Sequence, residues 1–451
     1  MRYLLLDDRV VEDARNAELV LGTIEKQAAN PLFGEDRPWE QRFDNLYANV
    51  LYDDEEEIYK CWYSPFVVDH SSRGMTLGQR RQLEYRPPPN REMAICYATS
   101  KDGLAWYKPE LGIVEYDGSK ANNIVRGGGD QARRGGPHGS GILKDPRERD
   151  PNRRYKAFFK SEVISVAFSA DGVHWGPTIP RAQADSSGDT HNNAFWAPTL
   201  ERYVAITRQW GKPSGRQVAR TSSADFVDWE EPRIVLQGLD ENEQTYAMPV
   251  FFHGGVYMGL VAVHDQDADR VWGELAWSPD TENWHRILPG TPLIPNGREE
   301  GDYDWGCVFP AAGPVFLEDE IRLYYGGSDG LHTSWRNGFL CLATLRPDGF
   351  AGYKASDISE AALVTTAAVC DPKFPLRVSS DVAEGGKVVL RVLGQGRRVL
   401  AESEPLTTTG SDAPVRWRDD GAWLASETGR ARLQFAFEGA TVYSFSCEVA
   451  D

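Results

Sequence analysis

Four copies of one seven-residue pattern set the tightest limit on what this chain folds into. They are Ser100 to Trp106 (SKDGLAW), Ser169 to Trp175 (SADGVHW), Ser223 to Trp229 (SADFVDW) and Ser278 to Trp284 (SPDTENW), all of the form S-x-D-x-x-x-W. Their tryptophans lie 69, 54 and 55 positions apart. Each copy follows a short alternating run (MAICYATS, VISVAFS, RQVARTS, GELAWS), which reads as a strand running into a tight turn. Ser and Asp at these offsets bond the turn's amides, and the Trp opens the next strand. The pattern is architectural, not catalytic.

Upstream of each copy lies a further strand: EIYKCWYS, RRYKAFFK, ERYVAITR and GVYMGLVAV. A fifth unit (PAAGPVF, EIRLYYGGSDG, GFLCLATLRPDGF) ends in Asp-Gly without the Trp. Asn30 to Phe33 (NPLF) and Thr291 to Ile294 (TPLI) open similar stretches, so the first and fifth units look like copies. Five units of about 55 to 65 residues, with three or four short strands each, predict an all-β fold with a five-bladed β-propeller. Beyond residue 350 the pattern changes. KVVLRVLG, APVRWRD, ARLQFAFEG and TVYSFSCEV predict a C-terminal β-sandwich. The expected domains are 1–350 and 351–451, with the boundary between 346 and 372.

Composition removes several functions. Lys and Arg total 49 against 67 Asp and Glu, a net charge of −18, which repels nucleic acid and anionic membrane surfaces. No run approaches the length of a membrane-spanning helix. The apolar stretch in MRYLLLDD is too short for a signal peptide, so a cytoplasmic location is expected unless a presequence has been removed. The six cysteines are scattered and read as reduced, buried thiols. No metal-ligand spacing occurs among the eight histidines, and no cofactor is expected. The glycines at 127–129 and 135–136 lack the Lys-Ser/Thr of a phosphate loop. The sequence carries no signal of oligomeric state.

The first strand of each propeller blade lines the axis, so the loops leading into these strands converge. They bring Asp44 and Asn45; Arg134, His138 and Asp145; Asp189, His191 and Asn192; Glu241, Glu243, Gln244 and Tyr246; and Tyr303, Asp304 and Trp305. Clustered carboxylates separate one another's pKa values, which divides a general acid from a base or nucleophile. Glycoside cleavage needs such a pair. Asp44, Asp189 and Glu243 are the catalytic candidates, with Glu241 competing with Glu243. Asn45, His138, His191, Asn192, Gln244, Tyr246, Tyr303, Asp304 and Trp305 are the candidates for binding substrate. Asp145 reads equally well as a turn residue.

These turns, the N-P-L stretch, Asp44-Asn45 before the first strand and the C-terminal strands resemble the five-bladed propeller glycoside hydrolases. That group holds glycoside hydrolase families 32, 43, 68, 117 and 130, and the likeness is to bacterial family-32-like and family-43-like proteins. Arg42 to Leu46 (RFDNL) stands where family 32 has its N-D-P-N-G nucleophile motif. Asp189 and Glu243 hold places comparable to that family's R-D-P and E-C carboxylates, although neither motif is intact. The resemblance implies an exo-acting hydrolase of a furanoside or short oligosaccharide. Asp44 would be nucleophile or base, Asp189 the stabiliser and Glu243 the acid. Some related propellers hold a cation on the axis. The alternatives are a family-130-like phosphorylase, with Arg133, Arg134 and His138 on phosphate, and a sugar-binding propeller without catalysis.

Overall fold

The computed structural model describes residues 1–69, 74–80, 82–89, 91–127, 136–212, 215–371, 374–418 and 430–447. Strand accounts for 51% of the chain and helix for 3%, so the all-β expectation holds.

The repeats found in the sequence become antiparallel units. The first joins Asn49–Asp53, Ile58–Tyr63, Ile95–Ser100 and Trp106–Tyr107, with Ile124–Arg126 added. The second joins His138–Lys144, Tyr155–Lys160, Ile164–Ser169 and Ile179–Pro180. The third joins Asn193–Ala197, Arg202–Gly211, Gly215–Ser223 and Arg233–Leu236. The fourth sets Glu243–Ala247 and Val250–His253 against Val256–Asp265, followed by Arg270–Ser278 and His285–Ile287. The fifth sets Cys307–Pro310 and Val315–Phe316 against Ile321–Ser328, followed by Gly338–Leu345. A parallel bridge between Val271 and Cys307 joins the last two units into one eleven-stranded sheet.

The four S-x-D-x-x-x-W segments form one recurring turn. Ser100 Oγ donates to Asp102 Oδ1 at 2.9 Å and accepts from the Gly103 amide at 2.9 Å. Asp102 Oδ1 also accepts from the amides of Leu104 and Ala105. The Ser-to-Asp bond and the two amide bonds to the Asp recur at Ser169/Asp171, Ser223/Asp225 and Ser278/Asp280. The indoles of Trp175, Trp229 and Trp284 donate to the carbonyls of Gly172, Phe226 and Thr281 at 3.0, 3.2 and 3.0 Å. Each Asp thus satisfies amides that a reversing chain leaves unpaired.

The outer place of the fifth unit is filled from the other end of the chain. Glu25–Lys26 and Phe33–Gly34 pair with Gly338–Leu345, and the Asn30 side chain bonds the backbone of Leu342 in both directions at 2.8 Å. The similar T-P-L-I stretch holds the matching place on the fourth unit, where the Ile294 amide donates to Gly273 O. Lys26 Nζ lies 2.6 Å from the buried Asp304 Oδ2, which also accepts from Tyr325 Oη at 2.7 Å.

The chain ends share a nine-stranded sheet. Arg2–Leu4, Val11–Arg15 and Ala17–Leu21 join Ala351–Ala355, Ala362–Thr366 and two long strands, Leu376–Leu393 and Arg432–Cys447. The long pair runs together through register shifts at Ser379/Ser380 and Val382/Lys387, around a core that includes Leu5, Val10, Val364, Phe435, Phe437 and Phe445. The division at residue 350 therefore differs from the hydrogen bonding at the N-terminus: the first 21 residues pair with the C-terminal region. Nothing in RYL or AELVL marks which strand partners them. All six cysteines are free and buried, and no helix among the described residues is long and apolar enough to cross a membrane.

Because Asp304 anchors the strand that closes the fifth unit, Asp304→Ala leaves Lys26 without its partner. It should cost about 3 kcal/mol, read as a lowered midpoint in urea unfolding. In the double variant with Lys26→Ala the loss should be smaller than the sum of the two.

Candidate functional site

Asp44 sits in a strained loop before the first strand. Asp44, Leu46 and Tyr47 all have positive φ, 54°, 61° and 45°, a region that non-glycine residues seldom occupy and that clusters at functional sites. The bend is held by Phe43 N donating to Glu35 Oε1 at 2.8 Å and by Leu46 N donating to Phe43 O. Three guanidinium bonds converge on a single oxygen of Asp44. Arg42 Nε and Nη2 reach Oδ1 at 3.1 and 2.8 Å, and Arg336 Nη2 reaches it at 2.8 Å. Oδ2 has no protein partner among the described residues, and the side chain is 16% exposed. Burial by itself would raise the Asp44 pKa, but Arg336 and Arg42 hold it well below the usual carboxylate range. Arg42 lies 3.5 Å over the Tyr85 ring, and Arg336 also donates to Asn45 Oδ1 at 2.8 Å.

Asp189 enters from the third unit. Its Oδ1 lies 2.6 Å from His138 Nε2 and its Oδ2 lies 2.8 Å from Arg208 Nη2. The carboxylate is half exposed at 49%, while Arg208 is buried. The partial burial of Asp189 is outweighed by His138 and Arg208, which keep it ionised. A glycine makes this approach feasible. Gly139 has φ 57°, and a Cβ there would lie 1.6 Å from Thr190 O. Gly139 O instead accepts from Asn192 N at 2.8 Å, so the second and third units meet with His138 against Asp189.

Tyrosines link the two aspartates. Asn45 Nδ2 donates to the hydroxyls of Tyr47 at 2.7 Å and Tyr246 at 3.2 Å. The Tyr47 ring lies 5.9 Å from His138 and 5.6 Å from His191. The guanidiniums of Arg208 and Arg216 lie 5.3 and 4.7 Å from the Tyr246 ring, and Arg216 bonds Gln244 Oε1. Arg91 is held most strongly by the field of Asp44, with a smaller contribution from Asp189. At the rim, Trp210 is 56% exposed, with Arg208 and Arg216 at 5.6 and 5.1 Å from its ring. An exposed indole beside polar groups suits the C–H face of a sugar ring.

His264, Asp269 and His332 close this side, their candidate ligand atoms lying within 4.8 Å of one another. The donor set suits a divalent cation in kind. Burial first, then Arg336, His264 and Arg216, lower the His332 pKa; this favours the neutral imidazole that a metal needs, while the same guanidiniums oppose the charge of a cation. The trio instead supports the loop that carries Arg336: Thr333 N and Oγ1 donate to Asp269 Oδ2, and Arg336 donates to His332 O.

Other residues named from the sequence lie elsewhere or are used internally. Glu243 accepts from Arg286, which also binds Glu274, and from Leu239 N at 3.1 Å. Strand alternation puts it on the face opposite Gln244 and Tyr246, so it does not join the two aspartates. Glu241 is exposed. Asp304 is spent on Lys26 and Tyr325, Tyr303 meets Asn30 at 3.3 Å, and the Trp305 carbonyl accepts from Arg270. The buried Asn192 amide donates to Gly188, Thr190 and Gly139 carbonyls and accepts from Thr207, which leaves it shaping the Asp189 loop. Asp145 is buried in a turn, with Arg147 N donating to it at 3.0 Å. Arg133 and Arg134 lie outside the described residues. Glu35, missed in the sequence, is pushed up to about 7 by burial against the opposing Arg80. It is fully enclosed and braces the Asp44 loop.

The missed residues share one origin. In an antiparallel unit the start of the first strand lies level with the end of the second and the start of the third: Asn49 pairs with Trp62, Asn193 with Ile206, Glu243 with Asp265 and Cys307 with Ser328. The second-to-third connections therefore rise beside the lead-in loops. They carry Arg91, the trio of Arg208, Trp210 and Arg216, then Asp269, and finally His332 and Arg336.

Comparison with known proteins gives likeness of fold only. A glycosyl hydrolase from Bacteroides ovatus is 15% identical, covering 73% of this chain and 95% of its own, with a TM-score of 0.48. A structure described with the GH130 family of mannoside phosphorylases, which contains glycoside hydrolases that target β-1,2-mannosidic linkages, is 16% identical, covering 72% and 94%, at 0.46. An N-acetylgalactosamine deacetylase from F. plautii is 14% identical, covering 74% and 97%, at 0.45. No protein-family model and no curated protein matches the chain.

His191 is enclosed beside Asn49, 3.3 Å from its Oδ1, and burial pushes its pKa down from 6.5 to about 3. The unfolded chain takes up this proton first as pH falls. The contribution of neutral His191 is thus complete above pH 6.5 and is withdrawn on the way down to pH 3. By pH 5 the loss should be about 2 kcal/mol. Urea unfolding at pH 7 and pH 5 should show that fall in the native protein and not in His191→Gln.

Proposed function

We propose that the five units are the blades of a five-bladed propeller, with the nine-stranded sheet as an attached β-sandwich-like module, and that the axial cluster cleaves a glycosidic bond. The observation that carries this reading is the disposition of Asp44. Its three cationic bonds fall on Oδ1, and on this strained loop Oδ2 has no partner among the described residues. A carboxylate kept ionised with one bare oxygen suits attack on an anomeric carbon or activation of a water beside it. Asp189 supplies a second negative charge for an oxocarbenium-like transition state. With Glu243 bound to Arg286, the proton for the leaving oxygen comes from His138, which stands on Asp189. In this step the bond from the anomeric carbon to the leaving oxygen breaks and that oxygen takes the His138 proton, while the anomeric carbon bonds Asp44 Oδ2, or a water whose proton passes to Asp44. Walls raised by the second-to-third connections suit a short oligosaccharide or furanoside cut from its end. Phosphorolysis is the second reading, and the guanidiniums around Asp44 and Asp189 favour it.

Purified protein should turn over at least one member of a panel of aryl glycosides, furanosides and short oligosaccharides, screened with and without phosphate. Asp44→Asn and Asp189→Asn should each lose about a thousandfold or more in kcat, while Glu243→Gln stays within a few-fold. His138→Gln should slow substrates with a poor leaving group far more than aryl substrates, because an activated leaving group needs no proton. Equal losses on both would remove His138 from the acid role. Dependence of turnover on phosphate would establish the second reading. Sugar binding without any turnover would leave a binding propeller.

A further inference from the structure

The cluster holds more hydrogen-bond donors than the protein has acceptors to meet. Arg42, Arg91, Arg208, Arg216 and Arg336 surround Asp44 and Asp189. Buried nitrogens on four of these arginines have no partner among the described residues: Nη1 of Arg42, Nε and Nη1 of Arg208, and Nε of Arg216 and Arg336. Nδ1 atoms of His191, His264 and His332 are likewise unmatched. Arg208 has a side-chain exposure of 2%, and a buried guanidinium short of partners is costly. Carboxylates are not lacking in this chain, whose net charge is −18, yet none beyond Asp189 pairs with Arg208 or Arg216 among the described residues. Among the described residues no further acceptor meets these groups, and a bound ligand can supply one.

Position says what brings them. Arg208 and Arg216 stand between the exposed Trp210 and the buried Tyr246. An indole platform takes a sugar face, and a guanidinium beside it takes a planar oxyanion on the same ring in a two-point fork. We infer that the sugar bound in this cluster carries a carboxylate, as a uronic acid does, and that Arg216 with Arg208 receives it. This inference rests on the reading of the cluster as a carbohydrate site and specifies the class of sugar.

Binding, not turnover, tests it, so that failure of the cleavage chemistry is not mistaken for failure of the charge preference. Calorimetry on the Asp44→Asn protein should compare glucuronate and galacturonate with glucose and galactose, with inorganic phosphate measured alone. The uronates should bind at least tenfold tighter than the matched neutral sugars. Arg216→Gln should reduce that ratio to near one with little change for the neutral sugars, and Arg216→Lys should restore part of it. Thermal unfolding of each variant controls for folding. Equal binding of neutral and acidic sugars overturns the inference, as does failure of every uronate to bind. Tight binding of phosphate alone, lost in Arg216→Gln, also overturns it by making the arginines a site for free phosphate.

Discussion

One buried guanidinium ties the beginning of the molecule to its end. Arg336, on the connection after Ile321–Ser328, reaches Asp44 and Asn45 on the loop before the first strand at 2.8 Å each. Glu25–Lys26 and Phe33–Gly34 join Gly338–Leu345 in a sheet ladder. Arg336 couples that closure to the Asp44 carboxylate. A buried ion pair of this kind is a weak source of stability, because desolvation of both charges offsets most of their attraction. Its value is positional. It fixes Oδ1 of Asp44, helps the positive-φ loop hold its shape, and leaves Oδ2 without a partner among the described residues.

The same economy of position explains Asp189. The Gly139 contact allows two chain segments to approach more closely than any side chain would permit, and that approach sets His138 on the carboxylate. The two aspartates thus reach the cluster through different devices. A long-range guanidinium holds one, and a backbone contact between neighbouring sheets holds the other. Both outcomes keep the carboxylate ionised, so under the proposed function the proton for the leaving group comes from a third group.

How much of this was legible follows from the reach of each signal. The S-x-D-x-x-x-W turns are local, since the Ser and Asp side-chain bonds that shape them fall within seven residues, and a linear pattern carries them fully. That Asp44 and Asp189 stand in lead-in loops was legible because such a loop is defined by the strand that follows it; their role stays a proposal. Glu243 was misplaced because two carboxylates two residues apart share a face, and only the pairing with Asp265 shows that the face is turned toward Arg286. Arg208, Arg216 and Arg336 were invisible as a group. Arg208 and Arg216 lie on one hairpin and Arg336 on another, and only antiparallel register brings those hairpins level with the lead-in loops. The pairing of residues 1–21 with the C-terminal sheet is hidden for the same reason: a strand's sequence states its periodicity and not its partner.

The sign of the cluster runs against the sign of the molecule. A net charge of −18 repels an anion at a distance, although salt screens that field beyond about 8 Å under physiological conditions. Inside the cluster the nearest charges are guanidiniums in a low-dielectric setting, where each contact is far stronger than at the surface. An acidic sugar therefore gains nothing from long-range steering, and its selection falls to the final contacts with Arg208, Arg216 and Trp210. A neutral sugar meets the same indole but leaves the unmatched nitrogens as they were. Discrimination in such a site comes from donors that one ligand satisfies and the other leaves buried and unpaired, a penalty that exceeds the worth of the bonds themselves.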